Sequence, residues 1–238
     1  MVDSLLPLPT QDRFELCEGS DENEDISNRC LLGKILASKS LNQQAVSNIL
    51  LDAWRSRAKL EISSWSENSF LFQFEDLEDH RRVLAEAPWS VMGNLLVLQP
   101  LSARVSASEM VFHWSPFWVQ VHGLPVAKMT KQNAEFIGKR LGNLIGVEAM
   151  HEGLLLNRSY LRIKMEIDVT KPLPLGFFLQ HNSSSGSEQM ETWVHYKYEK
   201  LADFCYDCGR IGHVNSVCKF VSREEGKNSL YGPDLRNS

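Results

Sequence analysis

Residues 60–74 read LEISSWSENSFLFQF, two apolar-alternating runs around a short polar break, and this stretch decides the fold. In LEISSW (60–65) and SFLFQF (69–74) the apolar positions recur every second residue, the period of a strand with one covered face. Ser66, Glu67 and Asn68 supply turn chemistry between the runs, so a β-hairpin is expected. Upstream, LNQQAVSNILLDAWRSR (41–57) changes to helical spacing, placing Ala45, Ile49 and Ala53, with Val46, Leu50 and Trp54, on one face. CLLGKILA (30–37) precedes it as a strand. Downstream, DLEDHRRVLAEAP (76–88) reads as a helix with Asp76 as N-cap and Pro88 as its stop, and NLLVLQPL (94–101) as a closing strand. Strand, helix, strand, strand, helix, strand is the order of a ferredoxin-like or RNA-recognition-type α+β sandwich, placed over residues 30–101.

A polar connector, SARVSASEM (102–110), leads to a second, smaller α+β unit, expected over residues 102–200. PFWVQVHGLP (116–125) is strand-like, and Thr130 can cap a helix through about Leu141. LLLNRSYLRIKMEIDV (154–169) alternates at Leu161, Ile163, Met165 and Ile167. LGFFLQ (175–180) and ETWVHYKYE (191–199), joined by the loop HNSSSGSEQM (181–190), form a hairpin whose second arm runs into a cysteine cluster.

That cluster, CYDCGRIGHVNSVC (205–218), spells C-x₂-C-x₄-H-x₄-C and defines a module expected over residues 201–220. Two cysteines three apart turn both sulfurs toward one ion, and a short loop returns the imidazole and the third thiolate to complete a tetrahedron. Cys205, Cys208, His213 and Cys218 are therefore the predicted ligands of one zinc ion. Three thiolates and a histidine leave no open position, so the zinc is structural. Gly209 and Gly212 fall where the return needs backbone that a β-carbon hinders. Tyr206 and Val214 offer an aromatic face and an apolar neighbour for an unpaired base, while Arg210 and Lys219 can reach phosphates. Cys17 and Cys30 lack a partner at metal spacing and read as a free thiol and a small buried residue.

The charge balance narrows the partners. Net charge is −5 over 238 residues, but residues 1–30 hold eight acids against Arg13 and Arg29, a balance of −6 that leaves +1 for the rest. The acidity belongs to a leader (1–29) expected to be disordered, as is a polar tail (221–238). No apolar run is long enough for a membrane span and no signal-peptide pattern opens the chain. A soluble intracellular protein, nuclear or cytoplasmic, with no membrane or small-molecule partner is the expectation. Phe70, Phe72 and Phe74 share one strand face and are read as core, since acids flank them rather than the basic and glycine residues of an RNA-recognition signature. Lys128, Lys131, Lys139 and Arg140, with Arg158, Arg162 and Lys164, are read as solvated, with a supplementary phosphate-contacting surface as the alternative. No G-x-S-x-G elbow or adjacent Asp pair for two metals occurs, so no enzyme is expected.

CYDCGRIGHVNSVC resembles the retroviral-type CCHC zinc knuckle in spacing, in the aromatic after the first cysteine and in its glycines. LLGKIL (31–36), FLFQFED (70–76), APWSVMG (87–93), FWVQVHGLP (117–125), KPL (171–173) and FCYDCGRIGH (204–213) resemble a plant domain of unknown function associated with non-LTR retrotransposons and followed by such a knuckle. The resemblance implies that Tyr206 and Val214 form the base pocket. It also implies an element-encoded nucleic-acid-binding protein, or a host protein derived from one; joined to the zinc site and the missing catalytic motifs, the reading is a retrotransposon-derived, non-catalytic protein that binds single-stranded RNA or DNA through zinc. The alternative reading is a protein-interaction adaptor whose knuckle and α+β region dock a partner or a second copy.

Overall fold

The computed structural model describes residue 15 and residues 21–102, 106, 109–148, 159–182, 189–221 and 230–237. Most of the expected leader, Cys17, the centre of the 181–190 loop, Arg158 and residues 222–229 lie outside the described residues. The chain is α+β, built on two sheets, as its alternating periods require.

The first sheet grows from the 60–74 hairpin. Strands β2 (Leu60–Ser66) and β3 (Ser69–Phe74) are joined by Glu67 and Asn68, with Asn68 at φ 54. The Asn68 side chain accepts from the Leu41 N–H and donates to the Lys39 carbonyl, tying the turn to the preceding loop. Strand β1 (Cys30–Ile35) lies between β3 and β5 (Asn94–Pro100), antiparallel to both. The order β2-β3-β1-β5 is that of a split βαββαβ sandwich. Helix α2 (Gln43–Trp54) starts at Asn42, whose side chain accepts from the Ala45 N–H. Helix α3 (Leu77–Ala85) starts at Asp76, whose carboxylate accepts from the Glu78 N–H. Both helices pack on the face carrying Phe70, Phe72 and Phe74, which are core residues as expected, with Trp54 edge-on to Phe72 at 4.8 Å.

Three sequence readings are corrected here. The buried stripe of α2 is Val46, Leu50 and Trp54 alone; Ile49 is exposed and so is Ala53, because one helix over a narrow sheet buries a single i, i+4, i+8 line. A short strand β4 (Trp89–Val91) extends the sheet beyond β5. Part of the expected disordered leader, Asp21–Asn28, is a helix (α1), and Arg29 after it donates to the Glu75 carbonyl at 2.7 Å.

The second sheet has the order β11-β10-β6-β8-β7, with β9 on β10. Its strands are β6 (Trp114–His122), β7 (Asn143–Val147), β8 (Tyr160–Asp168), β9 (Gly176–Asn182), β10 (Gln189–Glu199) and β11 (Arg236–Asn237). Helix α4 (Lys131–Leu141) is capped by Thr130 as expected, its side chain accepting from the Asn133 N–H at 3.2 Å, and it covers one face. On that face Leu161, Ile163, Met165 and Ile167 are buried, as their alternation requires. Leu95 and Val97 of β5 join this second core, so the two units share a packed boundary. β7 and β11 were not legible as strands. The expected disordered tail is also corrected in part: residues 230–237 fold onto the body, with Leu235 buried in the second core and β11 parallel to β10. Cys30 is buried as expected, and burial raises its thiol pKa.

The basic residues of the second unit are not a uniformly solvated face. Arg162 is paired with Glu199 at 2.6 Å and Glu148 at 3.1 Å and lies 3.9 Å over the Trp118 ring. Lys164 donates to the Ala85 carbonyl at 2.7 Å across the boundary between the units.

Candidate metal centre

After β10 the chain turns at Lys200 and buries Leu201, Ala202 and Phe204 in the second core. Phe204 then forms an antiparallel bridge with Ile211, closing a tight loop around the first two cysteines. The Gly209 N–H donates to the Cys205 carbonyl at 2.8 Å, and the Cys205 N–H to the Arg210 carbonyl at 2.9 Å. Gly209 and Gly212 take φ +72 and +94, the left-handed backbone that their positions in the motif predict. A β-carbon on Gly209 would run into the Tyr231 ring, and one on Gly212 would meet Leu36 of the first unit at 3.3 Å.

Beyond Ile211 a short 3₁₀ turn (Asn215–Val217) returns Cys218 to the others. Asn215 holds that return: its side chain accepts from the Tyr206 N–H at 2.8 Å and donates to Asp207 at 2.9 Å. Sequence reasoning missed this residue; its only signal was a turn-forming type at the start of the last ligand spacing.

The four ligand atoms of Cys205, Cys208, His213 and Cys218 all lie within 4.8 Å of one another, and Cys208 Sγ is 3.3 Å from His213 Nε2. A zinc tetrahedron with ordinary bond lengths has edges of about 3.5–3.8 Å, so the set fits the ion with small adjustments. Cys205 and Cys208 are buried, and His213 and Cys218 half-buried. Burial pushes the Cys205 thiol up to about 11, while the backbone N–H of Phe220, helped by His213 and Val221, holds Cys218 down at about 6. A divalent cation supplies the charge that lets the buried sulfur ionise. The donor set thus suits a structural zinc ion, with the Cys205 and Cys218 sulfurs oriented by N–H···S bonds from the surrounding backbone.

Around the ligands, Tyr206 is half-buried, edge-on to Phe204 at 5.0 Å and packed against the second core. Val214 and Lys219 are exposed. Arg210 donates to the Thr170 carbonyl at 3.2 Å and lies 4.2 Å over the ring of Phe220. Phe220 is 61% exposed and sits beside the His213 ring at 5.6 Å. It directly follows Lys219 at the edge of the motif, and reading only the residues between the ligands passed over it.

The module is anchored far outside its own loop. The Leu173 N–H donates to the Gly209 carbonyl at 2.9 Å, and the turn before it is pinned by Asp168, which accepts from the Thr170 hydroxyl and pairs with Lys171. Thr170's hydroxyl, joined by Lys171, holds the Asp168 carboxyl down at about 2. Asp203 donates its N–H to the Gly93 carbonyl and its carboxylate pairs with Arg236 at 2.7 Å.

Comparison with known proteins matches two stretches of the chain. Residues 23–109 match the family described as a domain of unknown function (DUF4283), and residues 167–220 match the family described as a zinc knuckle. That second match begins at the end of β8, where the Asp168–Leu173 turn that supports Gly209 and Arg210 starts. The chain is also similar to an uncharacterized protein of Arabidopsis thaliana, 24% identical over 103 residues; the match covers 43% of this chain and 31% of the length of that protein. Along the chain, a match to the DUF4283 domain over residues 23–109 is thus followed by a match to the zinc knuckle over residues 167–220.

Proposed function

We propose that the knuckle binds unpaired bases of single-stranded RNA or DNA on a surface that its zinc ion holds together, with no catalytic step. The observation that carries this reading is the exposed ring of Phe220 beneath the Arg210 guanidinium and beside the His213 ring, in a motif whose Val214 and Lys219 are also exposed. Aromatic rings and guanidinium planes are the surfaces on which splayed bases stack, and the cations beside them suit phosphates. Tyr206 contributes its outer edge rather than a free face, since its inner side packs on Phe204. The order of domain and knuckle supports descent from a retrotransposon protein. Among the described residues no helix is long and apolar enough to cross a membrane.

The exposed side chains of Val217 and Val221, in the same segment as exposed Phe220, favour a second reading, in which this segment docks a protein. The two readings part on binding of a labelled single strand by the zinc-loaded chain and its Phe220→Ala and Tyr206→Ala variants. Stacking predicts a loss of roughly 1–3 kcal/mol for Phe220→Ala and less for Tyr206→Ala. Unchanged binding in both variants, or no strand bound at low salt, contradicts the proposal.

A further inference from the structure

The face of the second sheet opposite α4 carries a band of rings that the metal centre does not use. Along β10 the core takes Val194, Tyr196 and Tyr198, which sends Trp193, His195 and Lys197 to the other side. Phe178 of β9 is the register partner of Trp193, and the two rings meet at 4.7 Å. The Trp193 indole donates to His195 Nδ1 at 3.1 Å. His195 is in turn the register partner of His122 on β6, and His122 lies 4.7 Å from the Tyr160 ring on β8. Rings therefore line four neighbouring strands, from Phe178 through Trp193, His195 and His122 to Tyr160, with Lys197 on the same face. The other end of this face is closed by Arg162 over Trp118 and by Lys164 reaching Ala85. The ring band stays accessible: Phe178 is 63% exposed, His195 is exposed, and Trp193, His122 and Tyr160 are half-buried.

We infer that this band is a second base-stacking platform, on which a single strand that engages the knuckle lays further unpaired bases. Three interstrand spacings make it roughly 14 Å wide. A four-stranded sheet presenting aromatic rings in this way stacks two or three bases. Flat rings with polar edges fit nucleobases better than the aliphatic surface of a protein partner. Two carboxylates border the band, Glu191, which accepts from Gln180 at 3.1 Å, and Asp234, which lines a cleft with Trp193, His195 and Lys197, and the Lys197 ammonium is the group beside the rings that complements a phosphate. Phe70, Phe72 and Phe74, the aromatic strand face of the first sheet, are spent in its core, so the second sheet is the one with rings to offer.

The inference rests on the knuckle reading, and the test separates the two. The full-length zinc-loaded chain is given strands of about four and about sixteen nucleotides, bracketing the site size of one binding fold. Both carry a photoreactive thiouridine, and crosslinked peptides are mapped by mass spectrometry. On the long strand the expected crosslinks fall both on residues 205–220 and on the band. The double variant Phe178→Ala, Trp193→Ala then weakens long-strand binding about tenfold or more, and leaves the short strand unchanged. Lys197→Glu, which removes no ring, gives a smaller loss in the same direction. Crosslinks confined to the knuckle, with long-strand affinity within twofold in both variants, overturn the platform and leave the knuckle reading standing. Crosslinks confined to the band overturn the knuckle reading instead, and no binding of either strand overturns both.

Discussion

Removing zinc should destabilise the second unit as a whole, because the knuckle places Phe204 and Ile211 in that unit's core. The perturbation is Cys208→Ser, or chelation of the wild type. Without the ion, the loop that the Phe204–Ile211 bridge closes has no covalent equivalent to hold it. Ile211 and Leu235, both at least nine-tenths buried, lose their seats, Leu235 because Tyr231 of the same segment rests on Gly209. Each such side chain contributes about 1.5–3 kcal/mol by burial, and incomplete exposure in the apo state discounts the sum. The expected loss is roughly 3–5 kcal/mol. For a chain of this size that lowers Tm by about 6–20 °C. Thermal unfolding followed by near-ultraviolet circular dichroism, with zinc and with chelator, reads it directly. An apo protein melting within about 2 °C of the zinc-loaded form refutes the reasoning and makes the knuckle an independent appendix.

Three further outcomes follow from single side chains. Gly209→Ala adds a β-carbon at φ +72 against Tyr231, so residues 230–237 should detach and gain hydrogen exchange at a cost of about 1–2 kcal/mol, with the ion retained; unchanged exchange there counts against the contact. Trp54→Ala, at the centre of the first core, should cost about 3–5 kcal/mol in denaturant unfolding. Asp79 is buried and accepts from Arg82 and from the N–H groups of Arg57 and Ala58, which together keep its pKa lowered although burial pulls the other way. Its folded value being depressed, its contribution is present above the unfolded carboxylate value near 4 and disappears as pH falls below it. Asp79→Asn should therefore remove about 1–3 kcal/mol at neutral pH and less in acid; an equal loss at both refutes the charge argument.

Much of this was written in local patterns. The 60–74 alternation, the caps at Asp76 and Thr130 and the cysteine spacing each specify their element through contacts within a few residues. What stayed hidden depends on distant partners. β7 was missed because NLIGV carries a glycine and a register shift between Leu144 and Gly146, and shows no clean alternation. β11 has two polar residues, and only the edge of β10 makes them a strand. Ile49 has the right helical spacing for the core but no sheet beneath it. Around the metal, ligand identity follows from spacing, whereas the burial of one side of Tyr206 and the prominence of Phe220 follow from how the core receives Phe204 and Ile211.

The central claim is that a zinc-held surface on the knuckle binds single strands. Its most direct test is the affinity of the full-length chain for a labelled single strand, titrated with salt, with zinc bound and after chelation. The account predicts binding at low salt that weakens linearly in log–log form as salt rises, and that is lost with the ion. Undiminished binding after zinc removal, or no binding with zinc at low salt, contradicts it.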